Sequence, residues 1–252
     1  DHHPGIPDVS LATTAGMSTN TIVPLAVAAF LLTFCSLAHA ADPETCTKDC
    51  DIVLTYFEGA GRAEAIRIAL FTAGVPFEDK RVAYPVWSAS NLKAETPGQA
   101  LPVLSVDGVV YTQSLAIARW AGKKSSLYPS DDRMAMRCDE VMDIFQEILT
   151  KTPQDPDQDK KAELRKVYSE GPMKIKMELA NKYASDAGEG FICGPGLTIA
   201  DLNAWMAVDM IQSGNFDHVP ATYIDQFPAL KALGGRVAES EVVKSYYASK
   251  AK

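Results

Sequence analysis

The chain has 252 residues, 47% of them hydrophobic and 22% charged, which suits one large globular domain or two smaller ones. Its net charge of −8 argues against nucleic acid as a main partner. No long basic run is present to hold an anionic membrane surface.

Residues 1–16 contain Pro, Gly and His without periodicity and read as an unstructured upstream extension. Met17 is a sensible start. Residues 22–38 form an uncharged apolar run that ends in Ala38-His39-Ala40, the small-x-small pattern of a signal-peptidase site. Residues 17–40 are therefore expected to be a cleaved signal peptide, which sends the chain to the secretory pathway or outside the cell. The rival is an uncleaved anchor, although the run is short for a span and contains Pro24. Membrane attachment is expected only in that case. Cytoplasmic placement follows if residues 1–50 do no targeting.

Residues 41–50 form a linker that carries Cys46 and Cys50. The two would pair in an oxidising compartment and remain thiols in a reducing one. Their three-residue spacing, and their place before the first strand, weigh against thioredoxin-type redox chemistry. Cys138 and Cys193 read as buried small hydrophobes. No second His or Cys pair with ligand spacing sits near Cys46 and Cys50, so no metal is expected.

The first strand is predicted over 51–56, and a helix with an apolar face follows over 63–73, stopped by Gly74. A short strand is predicted over 78–82, then an irregular stretch. Leu101-Pro102-Val103-Leu104 begins a strand with a proline, which suits an edge or a cis turn. Asp107-Gly108 is a hairpin turn, and Val109-Val110-Tyr111 is the return strand. Gln113-Ser114 opens a helix with Leu115, Ile117, Ala118 and Ala121 on its apolar face. A strand that ends at a helix start leaves backbone N–H groups free to bind a carboxylate.

After a polar linker near 129–132 the pattern is helical almost throughout. Helices are predicted over 133–151, over 160–186 with a break at Gly171-Pro172, and over 199–212. Thr198 and Asp201 form a capping box at the start of the last, which reads as the centre of a bundle. The box is expected to fold the domain and to do no chemistry.

One hydroxyl stands out. Tyr56 closes the first strand and faces a helix start near Gly61. A donor and a positive helix end at that point would lower the pKa of a bound thiol and make it a nucleophile. The hydroxyl of Thr55 is the alternative.

These blocks together resemble the sigma class of glutathione transferases. The resemblance rests on the proline-led strand, the Val-Asp-Gly turn and Gln113-Ser114. It rests also on Leu54-Thr55-Tyr56-Phe57 followed by Gly61-Arg62-Ala63-Glu64, with the capping box as a third match. It implies an α/β plus all-α fold: a thioredoxin-like, glutathione-binding domain over 51–128 and an α-helical bundle domain over 129–252. It implies glutathione as co-substrate, small hydrophobic electrophiles as the other substrate, and a homodimer.

The resemblance also assigns residues. Tyr56 would stabilise the glutathione thiolate, with Arg62 assisting through its charge. Trp87 and Lys93 would hold the glycyl end of glutathione. Leu101, ahead of Pro102, would pair with its cysteinyl peptide as an added strand does. Gln113 and Ser114 would take the γ-glutamyl carboxylate. The polar residue that often precedes Leu101 is replaced by Ala100, so either Gln99 loops in or that contact is missing. Met134, Met142, Phe145 and Trp205 are candidate liners of the electrophile pocket. Asp139, Asp143 or Glu147 would reach the partner subunit. Conjugation is the expected reaction. Glutathione-dependent isomerisation, peroxide reduction and non-enzymatic ligand binding are the alternatives.

Overall fold

The computed structural model describes residues 51–251. The expected signal peptide and the Cys46–Cys50 pair lie outside the described residues.

Four strands form one sheet in the order β2-β1-β3-β4: β1 (Ile52–Phe57), β2 (Glu78–Val82), β3 (Val103–Val106) and β4 (Val109–Tyr111). β1 and β2 run parallel, joined by α1 (Glu64–Thr72), while β3 is antiparallel to β1 and forms a hairpin with β4. The parallel pair needs a crossover helix and the antiparallel pair needs only a tight turn, so both connections follow from local pairing geometry. Asp107 and Gly108 make that turn with φ of 51° and 81°. In β1 the residues alternate, with Ile52, Leu54 and Tyr56 buried.

Two sequence expectations are refined here. β3 lies inside the sheet, paired on both sides, so of the edge and the cis turn that Pro102 suits, the cis turn is the one formed. Pro102 stands ahead of the ladder, after a cis peptide bond from Leu101, where its missing N–H costs no strand pairing. The stretch predicted as irregular contains two short helices, α2 (Tyr84–Ala89) and α3 (Leu92–Glu95), with a 3-10 turn at Pro97–Gln99. Pro85 in the first turn of α2 suits a helix start.

Helix α4 (Ser114–Lys124) packs against α1. Every residue of α1 from Glu64 to Leu70 is buried, including a glutamate and an arginine. The reason is that α1 is covered from several sides, by α4 and by two helices of the second half.

That second half begins with α5 (Asp132–Lys151), whose N-terminus is capped by Asp131 through the N–H groups of Arg133 and Met134 at 3.0 and 2.9 Å. Next come α6 (Gln158–Glu170) and α7 (Pro172–Asp186), divided where Gly171-Pro172 interrupts the helix. α8 (Ile199–Gln212) is the central helix and packs on α5, α9 (Pro228–Ala238) and α1. Each fully buried Ile, Leu or Val on it contributes about 1.5–3 kcal/mol. Close approach of α9 depends on Gly234, where an added Cβ would lie 2.9 Å from a Val208 methyl. The last helix is α10 (Glu241–Lys250), which packs on α1.

The box at α8 forms as the pattern predicts. Asp201 accepts from the Thr198 N–H at 2.9 Å and the Thr198 hydroxyl at 2.6 Å. Its other oxygen takes the Ile192 N–H at 2.9 Å, tying the preceding loop to the helix. Burial pushes its carboxyl above the usual range, against the pull of those donors.

Candidate functional site

Tyr56 is delivered by the strand alternation of β1 to the sheet's buried face, at the end nearest the 58–61 loop. Its hydroxyl oxygen accepts the backbone N–H of Arg62 at 3.2 Å. That leaves the phenolic proton free to donate elsewhere. The close approach requires Gly61: it has φ of 42°, and an added Cβ would stand 2.6 Å from the Tyr56 oxygen.

The loop that carries Gly61 is held from beneath by Arg67, which is fully buried. Its guanidinium donates to the carbonyls of Gly59 at 2.9 Å, Ala60 at 3.4 Å and Phe57 at 3.2 Å. It also pairs with Glu64 at 3.0 Å and Asp79 at 2.9 Å, and lies 5.7 Å from the centre of the Tyr56 ring. A buried cation is tolerable only with such a full set of acceptors. Burial alone would raise the Asp79 carboxyl, but Arg81 and Arg67 hold it below its ordinary value.

Arg62 shows no ion pair to Glu64. Glu64 is taken by Arg67 and by the Tyr247 hydroxyl at 3.0 Å, so the charge of Arg62 stays available at the cavity.

α4 brings the second element of the site. Gln113 has φ of 72°, and Ser114, which follows it, is buried at the helix start. The first intrahelical bond runs from the Ile117 N–H to the Gln113 carbonyl at 3.1 Å. The N–H groups of the first turn therefore point out of the helix without intrahelical partners, where an anion is favoured.

Between these elements and the helical half lies a cavity of about 490 Å³. One wall is Tyr56, Gly61, Arg62, Ser114 and Leu115. The other comprises Phe145, Gln146 and Leu149 of α5, with Asn203, Met206, Asp209 and Met210 of α8. Apolar and amide side chains facing a hydroxyl and a helix start can hold a thiol peptide beside an apolar partner.

The structure thus brings Tyr56, Arg62 and Ser114 together on one cavity. Trp87 is buried on α2, edge-on to Phe57 with ring centres 5.9 Å apart, and Phe57 is 5.2 Å from the Tyr56 ring. Lys93 is exposed on α3, while Leu101 is buried next to Pro102. Gln113 is exposed, and none of Trp87, Lys93, Leu101, Pro102 or Gln113 lines the cavity.

Of the four candidate pocket liners only Phe145 faces the cavity. Met142 is fully buried in the core, Trp205 packs edge-on to Tyr247, and Met134 stands against Gly194. Helical spacing marks the buried faces of α5 and α8 but not which part of each face is left uncovered. Met206, Met210 and Asn203, passed over in the sequence, occupy the uncovered part. Arg67 was also passed over; its signal was a charge on the apolar face of α1, three residues after Glu64.

The candidate intersubunit carboxylates have partners within the chain. Arg119 holds Asp139 at 2.6 Å and Asp143 at 3.3 Å. Glu147 binds Lys151 at 2.6 Å and Lys176 at 2.7 Å, and those ammonium groups bring its carboxyl down to about 2.

Residues 52–123 match the family model of the glutathione S-transferase N-terminal domain, and residues 142–250 match that of the C-terminal domain. Glutathione S-transferase 1 of Ascaris suum is 32% identical over 157 residues, 59% of this chain and 74% of that protein. S-crystallin SL11 of Nototodarus sloanii is 26% identical over 199 residues, covering 77% of this chain and 93% of the relative. The solved structure of prostaglandin synthase D of Nilaparvata lugens superposes with a TM-score of 0.68 at 28% identity, over 78% of this chain and 96% of that one.

Proposed function

This chain belongs to the glutathione S-transferase family, and from that premise we propose that it conjugates the glutathione thiolate to small hydrophobic electrophiles. The observation that carries the proposal is the Tyr56 hydroxyl. Its oxygen is occupied by the Arg62 N–H and its proton is free, at the wall of a cavity that Ser114 also lines.

A free thiol has a pKa of about 8.5 and is only a few per cent ionised at neutral pH. A hydrogen bond to a charged group is worth about 1.5–3 kcal/mol, which lowers a thiol pKa by roughly 1–2 units. Tyr56 would supply that bond, with the charge of Arg62 in support. The first turn of α4, with Ser114 and Gln113, would take the γ-glutamyl carboxylate. Leu101, ahead of Pro102, would pair with the peptide, and Trp87 and Lys93 would meet the glycyl end. The thiolate then attacks the electrophilic carbon, a C–S bond forms, and the leaving group departs with its electron pair. The electrophile would rest on Phe145, Met206 and Met210.

Conjugation of glutathione to chlorodinitrobenzene tests this, with Tyr56→Phe alongside. The variant should lose on the order of a hundredfold in kcat, the usual effect of removing one donor to a developing or resting anion. Unchanged turnover in the variant would overturn the role of Tyr56.

The likeness to a prostaglandin synthase favours a second reading, glutathione-dependent isomerisation or peroxide reduction in the same cavity. Turnover of a prostaglandin endoperoxide without conjugation would select it. Tight glutathione binding without any turnover would select a non-enzymatic ligand binder. Homodimer formation and entry into the secretory pathway belong to the same proposal. Sedimentation of the purified chain and the N-terminal sequence of the mature protein test them.

A further inference from the structure

The Arg67 network does not end at the loop it supports. Its far end is on α10, 183 residues away in sequence, where the Tyr247 hydroxyl donates to Glu64 at 3.0 Å. The other oxygen of Glu64 takes Arg67 at 3.0 Å. Arg67 in turn holds the Phe57, Gly59 and Ala60 carbonyls, and the same loop presents the Arg62 N–H to Tyr56. Hydrogen bonds therefore run from the C-terminal helix to the 57–60 backbone, and that backbone leads covalently, two residues on, to the Arg62 N–H that meets the phenol at the cavity.

We propose that Tyr247 is a positioning residue for Tyr56, a strut through which α10 fixes the loop that carries the Arg62 N–H. This rests on the transferase reading for its effect on turnover, but not for its effect on the loop.

The physical reasoning runs through Glu64. Its side chain is only 5% exposed, so water cannot replace a missing donor at the oxygen that Tyr247 occupies. Without that donor the carboxylate is free to shift on Arg67 and draw the guanidinium from the loop carbonyls. The Arg62 N–H then sits less firmly on the Tyr56 oxygen. A phenol that accepts a weaker bond is less polarised and donates a weaker one to the thiolate. Tyr247 is placed for this by its ring, which packs edge-on to Trp205 at 6.2 Å and Tyr246 at 5.1 Å. Lys250 of α10 stands 3.9 Å from Asp79, whose carboxylate also binds Arg67, so the helix meets the network at a second point.

Tyr247→Phe in the full chain tests the proposal, because it keeps the ring and its packing and removes only the hydroxyl. Hydrogen exchange of residues 58–62 should rise on the order of tenfold while α1 keeps its protection, the loss expected for one hydrogen bond to a charged group. With glutathione and chlorodinitrobenzene, kcat should fall by a similar factor with KM for glutathione nearly unchanged. The ultraviolet thiolate band of bound glutathione should then titrate at higher pH. Lys244→Ala, on the exposed side of α10, should do none of these. Exchange of 58–62 at the wild-type rate in Tyr247→Phe would overturn the strut, whatever the turnover. A wild-type chain with neither conjugation nor a thiolate band would overturn the transferase reading, and the exchange rates would still decide the strut.

Discussion

Two ionic clusters on this chain use the same residue types to different ends. Beneath the 58–61 loop, Arg67 and Glu64 are buried and Asp79 is half-buried, and the arginine spends its donors on three backbone carbonyls as well as two carboxylates. On the outside of the helical half, Glu147 joins Lys151 and Lys176 in the open. The contrast separates geometry from energy. Water and salt can stand in for an exposed partner, so the outer cluster contributes little to stability. Nothing can stand in for a buried one, so the inner cluster dictates where a loop lies.

Breaking the inner cluster at its centre should have the largest effect. Arg67→Met removes one donor from each of two carboxylates and the buried guanidinium from three carbonyls, and should cost about 3–5 kcal/mol in denaturant unfolding. A loss under about 1 kcal/mol would place the cluster in the same category as the exposed one.

A smaller effect is expected from acid. The Asp79 carboxyl is held below its ordinary value of 3.8, since burial is outweighed by Arg81 and Arg67. A lowered folded value means that its support is complete above the unfolded value and is lost as pH falls through the folded one. The melting temperature of Asp79→Asn should therefore lie below wild type at neutral pH, and the gap should close below about pH 4. A gap that persists unchanged in acid would mean that Asp79 acts through packing and not through charge.

The smallest effect belongs to the outer cluster. Glu147→Gln should leave the melting temperature unchanged in both low and high salt, although its carboxyl is held at about 2 by two lysines. A clear, salt-sensitive drop would erase the contrast from the other side.

Much of the fold was legible along the chain. The start of α8 is marked by a capping box that needs only four residues to close, and the observed helix spans the predicted range. The β3–β4 hairpin follows from Asp107-Gly108, and the break between α6 and α7 from Gly171-Pro172. Tyr56 and Ser114 were assigned to one site by the family resemblance, and both line the same cavity. The helices α2 and α3 were not legible: each is under two turns long, too short to display a period. Nor was Arg67, since a charge on an apolar face looks like an interruption until its acceptors are in place.

What the residues decided by themselves is what short-range chemistry decides: caps, turns, the alternation of β1 and the apolar faces of the helices. These depend on neighbours within a few positions and tolerate no other arrangement. Only the tertiary structure decided that β3 lies inside the sheet, that Met206 and Met210 and not Met142 face the cavity, and that α10 meets Glu64 on α1. Each of these depends on which faces are covered by elements distant in sequence. Burial is a property of the assembled chain, and it alone turns an arginine from a surface charge into the support of a site.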